Sequence, residues 1–184
     1  MRWSALFDDL EAQFAAAEAA ELAGEVAERS RIEAGRVLLV DRLAAACGHP
    51  VALSLPGLGV VRGTLVDAGV DWLLLDEGGG REALVPLSAL LGVTGVGRAA
   101  APPDAGGEVG KRLDLRWALR GLARGRAGVA VVLRDGATVH GTLDRVGADH
   151  VDLAEHPPGE ARRAGLVRSV RLVPLPAVVL VRSS

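Results

Sequence analysis

Four arginines, Arg112, Arg116, Arg120 and Arg124, stand four residues apart. On a helix that spacing puts all four along one face. Each guanidinium offers a planar fork of N–H donors that fits a phosphate or a carboxylate. Arg126 and Arg134 follow at once, and a second cluster, Arg162, Arg163, Arg168 and Arg171, comes later. These ten are the candidate nucleic-acid-binding residues, because contacts to backbone phosphates dominate the affinity for nucleic acids. The charge of the chain is lopsided in the same sense. Up to Gly110 there are 8 basic against 16 acidic residues, a net −8; from Lys111 on there are 13 against 7, a net +6. A basic half points to a polyanion. It also suits an acidic half of the same chain or of another subunit, and the sequence leaves both readings open.

Other chemistry finds little to work with. His49, His140, His150 and His156 are scattered. On a hairpin turning at Gly147-Ala148, His140 falls near Glu155 and His156, without the tight ligand spacing of a metal site. Cys47 has no activating base beside it and suits a helix end. Asp76-Glu77-Gly78-Gly79-Gly80 is acidic and lacks the following Lys and Ser/Thr of a phosphate loop. No catalytic residue, cofactor site or metal site is nominated, and the chain reads as a non-enzyme. Trp72 and Trp117 read as packing residues.

The elements that must position the arginines are set by an internal repeat. Val61–Leu75 (VRGTLVDAGVDWLLL) aligns without a gap on Val139–Leu153 (VHGTLDRVGADHVDL). Gly63, Thr64, Leu65, Gly69, Asp71 and Leu75 recur as Gly141, Thr142, Leu143, Gly147, Asp149 and Leu153. Val51, Ala52 and Leu55 recur upstream as Val129, Ala130 and Leu133, and Val85-Pro86-Leu87 recurs downstream as Val173-Pro174-Leu175. Copy two carries about ten more residues before that last element. Such self-similarity outranks propensity as an architectural signal. It predicts two small β units and no single core over the 184 residues. A unit of about 60–75 residues is near the lower limit for an independent core, so the copies are expected to lean on one another, on a helix or on a partner.

Ser4 to about Ser30 reads as a helix capped by Ser4, with an apolar stripe of Leu6, Leu10, Phe14, Leu22 and Val26 and an acidic opposite side. A second helix, Ile32 to Ala46, stops at Gly48. Strands are expected at 51–55, 59–66, 71–76, 82–87 and 91–96. Residues 97–110 are Pro- and Gly-rich and read as a linker. Copy two repeats the plan with a helix at 113–124 and strands at 128–133, 137–146, 149–156, 161–175 and 177–182. The domains are then 1–31, an acidic amphipathic helix; 32–96, the first barrel with its helix; 97–110, the linker; and 111–184, the second, basic barrel with its helix. The hydrophobic fraction is 49% and the longest apolar runs are far too short to span a bilayer. One cysteine and no signal-peptide layout make the cytoplasm the expected compartment.

Val131-Val132-Leu133-Arg134-Asp135-Gly136 followed by Val139-His140-Gly141-Thr142-Leu143 resembles the first conserved motif of the Sm-like fold. That superfamily includes the Sm and LSm proteins, the bacterial RNA chaperone Hfq and the C-terminal barrel of the ribosome maturation factor RimP. The resemblance covers about 36–95 and 113–182. It implies a mainly β chain: two tandem Sm-like (SH3-like) five-stranded small β-barrels, each preceded by an α-helix, plus the extra N-terminal helix. It also implies RNA as a partner and homo-oligomers formed through barrel edges; the N-terminal helix offers a second route to self-assembly. This chain departs from the family pattern at Gly69 and Gly147, where a polar residue is usual, and at Leu73 and Val151, in place of an Asn. No base-stacking aromatic sits in the usual slot, which implies low sequence preference. The rival expectation is an interaction or scaffold module with no nucleic-acid role.

Overall fold

The computed structural model describes residues 3–102, 113–160, 162–163 and 165–183, with side chains described from Leu10 onward. It divides into two compact units, Met1–Leu38 and Leu39–Ser184. The first is one helix, α1 (Trp3–Ala34). It starts a residue before Ser4, which therefore lies inside it instead of capping it. It also runs through the expected break at Ser30, because nothing there interrupts a helix until Gly35. Leu10, Phe14, Leu22 and Val26 of the expected stripe are exposed. An exposed Glu28–Arg31 pair at 3.2 Å spans one turn, worth a few tenths of a kcal/mol at about 0.2–0.5 per such pair. The expected second helix shrinks to α2 (Leu39–Ala45).

The second unit is mainly β. Its strands are β1 (Pro50–Leu55), β2 (Gly59–Ala68), β3 (Trp72–Gly78), β4 (Arg81–Pro86) and β5 (Gly92–Thr94), then helix α3 (Leu115–Gly125), then β6 (Gly128–Leu133), β7 (Thr138–Val146), β8 (His150–Glu155), β9 (Ser169–Pro174) and β10 (Val178–Ser183). Single 3-10 turns, Leu87–Ala89 and Leu175–Ala177, join β4 to β5 and β9 to β10. All ten strands form one antiparallel sheet in the order β5-β1-β2-β3-β4-β10-β6-β7-β8-β9. Each copy supplies five neighbours in the same internal order. The repeat predicts two small β units and the resemblance implies two barrels; the pairing gives one open ten-stranded sheet with β5 and β9 at its ends. The joint is β4 against β10, with Leu84 opposite Val181 and Ala83 opposite Arg182. Across it Arg182 donates to both carboxylate oxygens of Glu77, at 2.7 and 2.8 Å.

The repeated residues have physical reasons to repeat. A Cβ at Gly63 would collide with the backbone carbonyl of Asp76, and one at Gly141 with that of Ala154. Only glycine lets the paired strands approach so closely there. Both copies carry a bulge one turn further on, between Leu65 and Asp67 in β2 and between Leu143 and Arg145 in β7. Both then close the same turn: Gly69 N–H donates to Trp72 O (2.9 Å), and Gly147 N–H to His150 O (2.8 Å).

The cores interpenetrate. One cluster holds Leu43, Leu53, Leu65, Leu73 and Leu75 of copy one together with Val132, Val179 and Leu180 of copy two. The other holds Leu115, Leu119, Val131, Leu143 and Leu153 together with Trp72 and Leu84 of copy one. The turn at Asp71-Trp72 docks the start of α3: the Trp72 indole N–H donates to Leu113 O at 2.8 Å, and Leu115 N–H donates to Asp71 Oδ1 at 2.7 Å. The opening of the expected linker is tied down, since Arg42 donates to Gly97 O at 2.6 Å and Ala101 N–H to Asp41 O at 2.9 Å. Residues 103–110 lie outside the described residues. Among the described residues no helix is long and apolar enough to cross a membrane.

The long fourth strand expected at 161–175 is only six residues, Ser169–Pro174. Pro157-Pro158-Gly159 ends β8, and Leu166 N–H then turns back to Arg163 O at 2.9 Å. Among the described residues, the extra stretch of copy two is therefore turn and not more strand.

Candidate nucleic-acid interface

Helix α3 is set up by its N-cap. Asp114 sits in extended backbone and accepts from Trp117 N–H at 2.8 Å. It also accepts from Arg116 at 2.6 and 2.8 Å. Burial pushes the Asp114 carboxyl up, but the hydrogen bonds from Arg116 and from the Trp117 backbone outweigh it and hold the group below the ordinary carboxylate range. A lowered carboxylate stabilises the fold above its unfolded pKa and ceases to do so as pH falls through the folded value. The start of α3 is therefore expected to loosen in acid below about pH 4, read as lost helical signal in circular dichroism; Asp114→Ala should remove that pH dependence and leave the helix start already loosened at neutral pH.

Leu115 and Leu119 bury the inner face of α3, and Leu122 and Ala118 pack beside them. The outer stripe carries Trp117, Arg120 and Arg124. Trp72 is a packing residue as the sequence suggests, but Trp117 is 45% exposed and is not. The helix ends at Arg126, which holds a left-handed backbone (φ 49°) at the C-cap. That conformation usually falls to glycine, since a Cβ there costs about 1–2 kcal/mol. The β7 bulge brings Asp144 and Arg145 beside this helix end. Together Arg120, Arg124, Arg126 and Arg145 line a groove of about 470 Å³. Asp144 is the one acid in it, and Arg162 occupies it through a bidentate pair at 2.6 and 2.8 Å. The four groove guanidiniums have no hydrogen-bond or ion-pair partner among the described residues.

The ten nominated arginines thus part ways. Arg120, Arg124 and Arg126 meet in the groove. Arg116 is spent on Asp114, and Arg162 on Asp144. Arg171 is held by Glu155. Arg134 bridges the copies, donating to Pro176 O and, at 3.0 Å, to Ser88 O. Arg163 is exposed in the 157–168 loop. Arg168 lines a different cleft, with Arg171. Arg112 lies outside the described residues.

No family model and no curated protein matches this chain.

Arg145 is not among the ten arginines that the sequence nominates. It sits on a strand, out of helical register with Arg120 and Arg124, and only the bulge places it there. One signal was present: in the aligned repeat Arg145 stands where copy one has Asp67, a reversal of charge. Elsewhere the chemistry stays quiet. Burial, and then the charge of Asp67, push the Cys47 thiol up, away from a reactive thiolate. Among the described residues no group of three His, Cys, Asp or Glu side chains is placed to hold a metal ion.

Proposed function

We propose that the chain is a tandem of Sm-like small barrels that binds the phosphate backbone of RNA, without catalysis and with little sequence preference, through the basic second copy. The observation that carries this reading is the convergence of Arg120, Arg124, Arg126 and Arg145 on one groove, with the local carboxylate already neutralised by Arg162. Backbone phosphates reward such a row whatever the bases. The exposed face of Trp117 adds a surface on which a base can stack, worth about 1–3 kcal/mol. The test is fluorescence anisotropy with a labelled single-stranded oligonucleotide over a salt series. The expected slope of log affinity against log salt is about −3, from four contacts at about −0.7 each. No binding even at low ionic strength would refute the reading.

A second reading, self-assembly, is favoured by the free ends of the sheet. The internal joint pairs Leu84 with Val181. Their repeat partners, Leu172 on β9 and Val93 on β5, lie on the two edge strands, and Leu172 is 65% exposed. A β9 edge laid on the β5 edge of a second copy repeats the joint head to tail. Light scattering tests it: the wild type should exceed one chain in mass and Leu172→Lys should reduce it to one, since an edge lysine blocks such pairing. A wild type that is monomeric at high concentration removes this reading.

A further inference from the structure

A cleft beside the end of β8, with Pro157, Pro158 and Arg168 at its rim, is unused by either reading. It has a volume of about 380 Å³, and its walls include His140, Glu155, His156, Pro158, Arg168 and Arg171. Copy one has a cleft at the aligned positions, lined by Arg62, Asp76, Glu77 and Gly78. The two differ in charge. Where copy one has Asp76, copy two has Ala154; where copy one has Gly78, copy two has His156. The 157–168 loop, absent from copy one, adds Arg168 at the rim.

Most of the charged and ring groups in the cleft of copy two can be accounted for. The buried His156 ring faces Pro157 O from Nδ1 (3.0 Å) and Thr142 Oγ1 from Nε2 (2.8 Å). A carbonyl only accepts, so Nδ1 carries the proton and Nε2 accepts from the Thr142 hydroxyl. His156 is then fully satisfied and braces the wall. The Glu155 carboxylate is taken by Arg171. Arg168 is anchored by its backbone, donating to Glu155 O at 2.9 Å, and its guanidinium has no partner among the described residues. His140 is the exception: its Nδ1 is buried with no hydrogen-bond partner. Buried polar atoms left unsatisfied cost stability and call for an explanation. What remains on offer in the cleft is a whole guanidinium and the outward N–H groups of a second, around a carboxylate already neutralised, with the His140 ring in the wall.

We propose that this cleft is a binding site for a phosphate group, separate from the arginine groove. Arg168 supplies a planar fork and Arg171 its outer donors, a donor set that matches a tetrahedral oxyanion, and the His140 ring forms part of the wall beside them. The volume is at the small end of ligand sites, enough for the phosphate and a little more. The phosphate can come free or as a monoester, and the probes tell these apart. The full chain, labelled with nitrogen-15 at histidine, is titrated by NMR with inorganic phosphate and, separately, with adenosine monophosphate, at constant ionic strength kept with chloride. The expected result is a saturable shift of the His140 ring resonances while those of His49 and His150 stay in place. Tighter saturation by the monoester names an ester as the occupant; equal saturation names free phosphate. Arg168→Ala should weaken saturation at least tenfold, with the unmoved resonances of the other histidines showing that the fold is intact. Arg124→Glu with Arg145→Glu should leave it unchanged, which separates this site from the groove. A His140 shift that rises linearly without saturating, or that Arg168→Ala does not alter, would overturn the proposal.

Discussion

Leu180→Ala is expected to lower the stability of the whole Leu39–Ser184 unit by about 2–5 kcal/mol, the range for truncating a fully buried leucine, and to leave one unfolding transition. Leu180 belongs to the last strand of copy two and has no exposed surface. It packs with Leu43, Leu53 and Leu65 of copy one. Trp72 and Leu84 make the reverse crossing into the core of copy two. A cavity at Leu180 therefore opens under copy one while weakening the strand that joins the copies. Urea unfolding followed in parallel by tryptophan fluorescence and far-ultraviolet circular dichroism reads this directly. Trp72 reports on the core of copy two, whereas circular dichroism reports on both. Coincident curves, shifted together by the mutation, are the expected outcome. Two separated transitions, with only one moved by Leu180→Ala, would mean that the copies fold independently despite sharing a sheet.

The same crossing explains what the sequence could and could not disclose. The repeat was plain because close-packing demands it: Gly63 and Gly141 must be glycine where strands touch, and Gly69 and Gly147 where a ring covers the turn. Alternating burial along β1 made strands legible for the usual reason, one face in and one face out. The joint was not legible. Whether β4 ends at solvent or meets β10 depends on two edges brought together over about a hundred residues, and no local pattern records it. Val167, Val170 and Leu172 make the sequence look like strand well before Ser169, while the turn at Arg163–Leu166 is set by backbone hydrogen bonds. The helical row of arginines was legible by spacing. Its thinning was not: Arg116, Arg162 and Arg171 each meet a carboxylate, and Asp144 and Glu155 lie far enough from their partners in sequence that only folding pairs them.

That thinning sharpens the second large effect. Arg124→Glu combined with Arg145→Glu is expected to weaken single-stranded RNA binding by well over tenfold and to halve the salt slope, from about −3 to about −1.5, because two of four phosphate contacts are lost at about 0.7 each. Glutamates facing a phosphate backbone also repel it, so the loss exceeds that of alanine at the same sites. Arg134→Gln supplies the contrast. Its guanidinium donates to carbonyls of both copies, so stability should fall while the slope stays near −3, the value four contacts give. Arg126→Gly then separates binding from folding in the opposite direction. Glycine relieves the left-handed C-cap, a gain of about 0.5–1 kcal/mol once its greater freedom in the unfolded chain is set against the removed Cβ, yet one of the four groove charges disappears. A variant that melts higher and binds more weakly would mean that Arg126 is kept for its charge. A variant that melts higher and binds as well as the wild type would leave the groove to Arg120, Arg124 and Arg145 alone.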